Sequence, residues 1–154
     1  PDLSLTHLLS NITVSNGIAF SQNENIMYFA DTPTGLIRKF EFTHDFKKLQ
    51  ELESNMTFND VGEPDGATVD IKNNYWSARV RGKCIICINT KNGKIIEKIE
   101  LPTNTPTCVT FGDSDLSSLY VTSLRADPVN DAAGGNLHKI KTETKGFKQL
   151  LTDI

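Results

Sequence analysis

Asn16-Gly17 and Asp65-Gly66 recur at matching places in this 154-residue chain, each just ahead of a short apolar run. An amide oxygen and a carboxylate aimed at one point suit a hard divalent cation, which takes oxygen ligands. The glycine after each lets the backbone turn sharply while the side chain projects. Taken singly, each dipeptide is an ordinary turn former. Their recurrence in register makes Asn16 and Asp65 candidate metal ligands.

The elements that would position them come from a threefold repeat. Asn16-Gly17-Ile18-Ala19-Phe20 leads to Met27-Tyr28-Phe29, Asp65-Gly66-Ala67-Thr68-Val69 to Tyr75-Trp76, and Thr107-Cys108-Val109-Thr110-Phe111 to Leu119-Tyr120-Val121. Self-similarity at roughly 40 to 50 residues, with several strands per unit, is the mark of propeller blades. Period-two patterning and turn residues predict an all-β chain with strands near 17–21, 26–31, 36–42 and 48–53, then 67–71, 74–79, 84–89 and 95–101, then 108–111, 118–122 and 136–141. Asn92-Gly93 between two β-rich runs is a hairpin signal. The expected architecture is therefore a partial β-propeller over residues 1–154, about three four-stranded blades at 15–54, 64–102 and 106–154. Tyr28, Trp76 and Tyr120, at equivalent second-strand positions, are expected to wedge between blades. The innermost strands of such a ring converge on a channel, and Asn16 and Asp65 stand where two of them begin. Thr107 marks the third entrance without a carboxylate.

Other groups are weaker candidates. Asp31 and Thr32 are expected to cap a turn before Pro33. His7, His44 and His138 are scattered through the repeats, so no zinc or catalytic role is assigned to them. The loop 123–135 is long enough to suggest function or contact with another part of the molecule; its Asp127 and Asp131 are read as solvated acids. Cys84-Ile85-Ile86-Cys87 has C-x-x-C spacing, but residues three apart on a strand point to opposite faces. With Cys108, these are expected to be reduced, partly buried thiols of an intracellular protein, and a cytoplasmic location is expected.

An apolar fraction of 38% and 23% charged residues describe an ordinary folded chain. The net charge of -3, with Lys and Arg dispersed, argues against a nucleic-acid partner. No apolar run approaches the roughly 20 residues needed to cross a bilayer as a helix, so no membrane partner is expected.

Several spaced motifs follow one another in order: Ser15-Asn16-Gly17-Ile18-Ala19-Phe20-Ser21, Met27-Tyr28-Phe29-Ala30-Asp31-Thr32-Pro33, Pro64-Asp65-Gly66-Ala67-Thr68-Val69-Asp70, Tyr75-Trp76-Ser77-Ala78, and Pro106-Thr107-Cys108-Val109-Thr110-Phe111-Gly112 with Leu119-Tyr120-Val121-Thr122-Ser123. Together they resemble the C-terminal half of the senescence marker protein, gluconolactonase and luciferin-regenerating enzyme family, to which regucalcin belongs. The resemblance implies a six-bladed propeller with one divalent cation, calcium or zinc first and manganese or magnesium next, and hydrolysis of a small-molecule sugar lactone. It implies Asn16 and Asp65 as metal ligands and Asp65 as the general base. The family's further ligands and its substrate-gripping Arg belong to an N-terminal half with no counterpart here. The chain is accordingly expected to be a fragment, inactive by itself, whose ring needs the missing N-terminal blades or a second copy to close. A non-catalytic, calcium-binding regulatory or scaffold propeller is the alternative.

Overall fold

A computed structural model of the chain describes residues 4–22, 25–43 and 48–148. The turn expected around Asn23 and Glu24, the turn holding His44, and the end of the third unit beyond residue 148 lie outside the described residues.

Among the described residues eleven strands form in chain order: β1 Ser15–Phe20, β2 Ile26–Asp31, β3 Leu36–Phe42, β4 Leu49–Thr57, β5 Glu63–Val69, β6 Tyr75–Val80, β7 Cys84–Asn89, β8 Lys94–Glu100, β9 Pro106–Gly112, β10 Ser118–Ser123 and β11 His138–Lys141. They make three antiparallel meanders, β1-β2-β3-β4, β5-β6-β7-β8 and β9-β10-β11. The first strand of each sheet packs beside the first strand of the next. Among the described residues the third sheet has three strands rather than the four expected, and there is no α-helix.

Alternation of side chains across each sheet builds the core between sheets. One cluster joins Tyr28, Ala30 and Ile37 of the first sheet to Val69, Tyr75, Cys84, Ile86 and Ile88 of the second. Another joins Trp76, Ile85 and Cys87 of the second to Val109, Leu119 and Val121 of the third. Cys84 and Cys87 thus fall in different clusters on opposite faces of β7, as the strand geometry demands. Cys108, by contrast, is exposed rather than partly buried. Tyr28 and Trp76 are the inter-sheet wedges, with Tyr28 against Tyr75 at 5.4 Å and Trp76 edge-on to Phe111 at 5.9 Å between ring centroids. Tyr120 lies on the side of the third sheet against which no further sheet packs among the described residues. It is partly exposed, donates a hydrogen bond to Asp113 and lies under the Lys139 ammonium.

Two acids differ from their expected roles. Asp131 is buried rather than solvated. It accepts bonds from the Thr103 hydroxyl and the Asn104 N–H, which fastens the loop 123–135 to the connection between the second and third sheets. Asp31 sits at the start of a short 3₁₀ turn, Thr32–Thr34, without capping it by its side chain. Its carboxylate instead accepts from the N–H groups of Thr13 and Val14.

Candidate metal centre

Neither dipeptide is a turn. Both lie inside first strands, at places where the ladder slips by a residue, between Asn16 and Ala19 in β1 and between Pro64 and Ala67 in β5. Such bulges bend a strand and re-aim a side chain, which answers the expectation of a loop at the mouth of each strand. β9 slips as well, opposite Thr122 and Ser123.

The two glycines serve different ends. Gly17 takes a left-handed φ of +59°, and a β-carbon there would meet the Tyr75 hydroxyl at 2.5 Å and the Ala30 β-carbon at 2.9 Å. The same Tyr75 hydroxyl donates to the Gly17 carbonyl at 2.6 Å, pinning β1 to the second sheet. Gly66 has no positive φ; what it supplies is room. A β-carbon on it would lie 2.8 Å from the Cys108 α-carbon. β5 and β9 therefore approach as closely as backbone allows. Cys108 shares with Asn16, Gly17 and Gly66 the wall of a cavity of about 320 Å³.

Asn16 and Asp65 are brought together. The Asn16 side chain and the Gly66 N–H both favour the charged form of the Asp65 carboxylate. Burial outweighs them and lifts the Asp65 carboxyl above the usual range. The Asn16 amide also donates through Nδ2 to the Thr32 hydroxyl at 3.1 Å, and that hydroxyl donates to the Pro64 carbonyl at 2.8 Å. Thr32, expected to cap a turn rather than approach the channel, thus touches both strands of the site. Nothing in the repeat marks it, because Val80 and Ser123 stand opposite the first residues of β5 and β9 where Asp31 stands opposite that of β1.

Thr107 bonds to Thr122 across the β9–β10 ladder at 2.8 Å. A larger cavity, about 540 Å³, lies at the other ends of β5 and β9 among Thr68, Val69, Thr110, Phe111, Leu116 and Phe147, with no carboxylate in its wall.

Among the described residues no three His, Cys, Asp or Glu side chains gather as a metal-binding group. One amide oxygen and one carboxylate, half-buried and side by side, fit an oxygen-preferring divalent cation, and they form only part of the about six to eight oxygens that calcium takes.

Sheets ranged side by side by their first strands, with oxygen donors on two of those strands, define a propeller-type, all-β protein. Residues 1–125 match the SMP-30/Gluconolactonase/LRE-like region, and the chain belongs to that family. It is 34% identical over 119 residues to a 6-deoxy-6-sulfogluconolactonase of Pseudomonas putida, covering 77% of this chain and 40% of that protein. A pentonolactonase of Haloferax volcanii is 29% identical over 163 residues, covering 99% of this chain and 56% of the relative. A solved calcium-binding protein, regucalcin, from Agrobacterium tumefaciens superposes with a TM-score of 0.85 at 25% identity, covering 96% of this chain and 52% of that one. The chain spans about half the length of the curated relatives it matches. No helix among the described residues is long and apolar enough to cross a membrane.

Proposed function

We propose that this chain carries part of the active centre of a metal-dependent sugar-lactone hydrolase, with Asn16 and Asp65 as oxygen ligands and Asp65 as general base. Its chief support is the meeting of these two side chains, delivered by bulges on neighbouring first strands. Lactonase names among relatives that match most of this chain supply the substrate class.

A divalent cation held there, calcium or zinc first and manganese or magnesium next, would supply Lewis acidity toward the lactone carbonyl and acidify the attacking water. Asp65 takes a proton from that water as its oxygen bonds to the carbonyl carbon. The ring C–O bond then breaks, and the proton passes to the departing ring oxygen to give the open hydroxy acid. Burial raises the carboxyl's proton affinity in the metal-free chain, and a bound cation would lower it, so both set the base strength of Asp65. Asn16, being neutral, leaves the cation more electrophilic than a second carboxylate would. The remaining ligands and the ring closure are assigned to blades beyond this chain.

In the intact protein, Asp65→Asn keeps an oxygen donor and removes the base, so lactone opening should fall by about 100-fold or more. Turnover equal to wild type would sink the assignment. A non-catalytic calcium-binding propeller is the second reading, favoured by the two-donor set and by the calcium-binding Agrobacterium neighbour. Metal binding without lactone opening in the intact wild-type protein would establish it.

A further inference from the structure

We propose that Thr32 is a positioning residue of this site: one hydroxyl sets the orientation of the Asn16 amide and ties down the strand that carries Asp65. The inference deepens the metal-site reading above and rests on it.

The polarity of the network decides the orientation. A threonine hydroxyl has a single hydrogen to donate. Thr32 spends it on the Pro64 carbonyl, the residue before Asp65. What it presents to Asn16 is therefore a lone pair, and only the amide NH₂ can meet a lone pair at 3.1 Å. The other proton of that NH₂ group stays on the same side of the amide, where Asn16 favours the charged form of the Asp65 carboxylate. With Nδ2 held at Thr32, the Asn16 Oδ1 is turned to the other side. There it makes a 3.3 Å contact with the N–H of its own neighbour Gly17, which leaves a lone pair for a cation. A flipped amide would set its oxygen against the Thr32 lone pair.

The turn is itself fixed to both partners. The Thr32 N–H donates to the Val14 carbonyl at 3.1 Å, just ahead of Asn16. The Thr34 hydroxyl closes back on the Asp31 carbonyl at 2.8 Å, and Gly35 ends the turn at a φ of +69°. Partners behind a ligand of this kind govern metal affinity because they set the ligand's direction.

The test compares Thr32→Val, which keeps the shape and loses the hydroxyl, Thr32→Ala, which needs no added space, and Thr32→Ser, which keeps the hydroxyl. On the full 154-residue chain, NMR reads two quantities: hydrogen exchange of the Asn16 side-chain amide, and paramagnetic broadening of Asn16 and Asp65 by added Mn²⁺ alone, which registers millimolar affinity. Thr32→Val and Thr32→Ala should speed the amide exchange and raise the Mn²⁺ concentration for half-broadening by about 10- to 100-fold. Thr32→Ser should stay within about threefold of wild type on both. Unchanged exchange in the valine variant, a serine variant that behaves like valine, or loss of the dispersed spectrum in both Val and Ala variants would overturn the proposal. If Mn²⁺ broadens neither residue in wild type, the metal reading fails, while amide exchange still decides what Thr32 does.

Discussion

Asp31 holds the approach to the site by charge. Its carboxylate accepts from the N–H groups of Val14 and Thr13 at 2.8 and 3.1 Å, and those two bonds keep the carboxyl below the usual aspartate range. A carboxyl whose folded value is depressed contributes stability above the unfolded value of about 4, and that contribution disappears as pH falls through the folded value. Asp31→Asn should therefore be less stable than wild type at pH 7, with the two urea midpoints converging in acid. A constant gap down to pH 2 would show that the charge plays no part. At this scale the sequence is most legible where chemistry repeats. Asn16 and Asp65 stand out because the motif occurs twice, whereas Thr32 acts once and through partners 16 and 32 residues away, so no spacing rule could single it out. The glycines are legible as special positions, but only packing separates the left-handed turn of Gly17 from the bare clearance that Gly66 leaves for Cys108.

Asp70 shows what limits the reading of elements. The apolar alternation places it inside a strand, yet β5 ends at Val69 and Asp70 opens the turn to β6. Its carboxylate accepts from the N–H groups of Lys72 and Asn74, the Asn74 amide, the Trp76 indole and the Thr144 hydroxyl, at 2.8 to 3.2 Å. One buried acid thus shapes a hairpin, orients the wedge between two sheets and ties in a segment 74 residues away. Asp70→Ala should cost about 2–4 kcal/mol in urea unfolding, because it leaves the buried indole N–H without its acceptor. A loss below half a kilocalorie would mean that water replaces the carboxylate. Strands β2 and β7 coincide with their sequence expectations because each is an apolar run bounded by turn residues, and β3 coincides although it mixes apolar and charged residues. β4 runs on to Thr57 past its expected end at residue 53, since Leu52 and Met56 pack inward on a strand whose other residues are mostly polar.

The outer faces of the whole molecule bear on how a ring could close. Two copies closing one ring would set the first sheet of each on the third sheet of the other. The free side of the first sheet carries Met27, Phe29 and Phe40, partly covered by Leu9 and Ile12, with Ile18 and Phe20 about half exposed. The free side of the third sheet carries Thr110, Thr122, Lys139 and Tyr120, the last two bound to Asp113. An apolar face against a threonine and lysine face would desolvate the Lys139–Asp113 pair without replacing its water, and such burial costs more than the contact returns. Where blades do pack in this chain, Tyr28 and Trp76 meet apolar partners on both sides. Tyr120 stands at the equivalent position on the side of the third sheet that no further sheet covers, among polar neighbours. Light scattering coupled to size exclusion should accordingly give the mass of a single chain at tens of micromolar. A concentration-dependent rise to twice that mass, abolished by Lys139→Glu, would show that the third sheet accepts a second copy and would return self-closure to consideration.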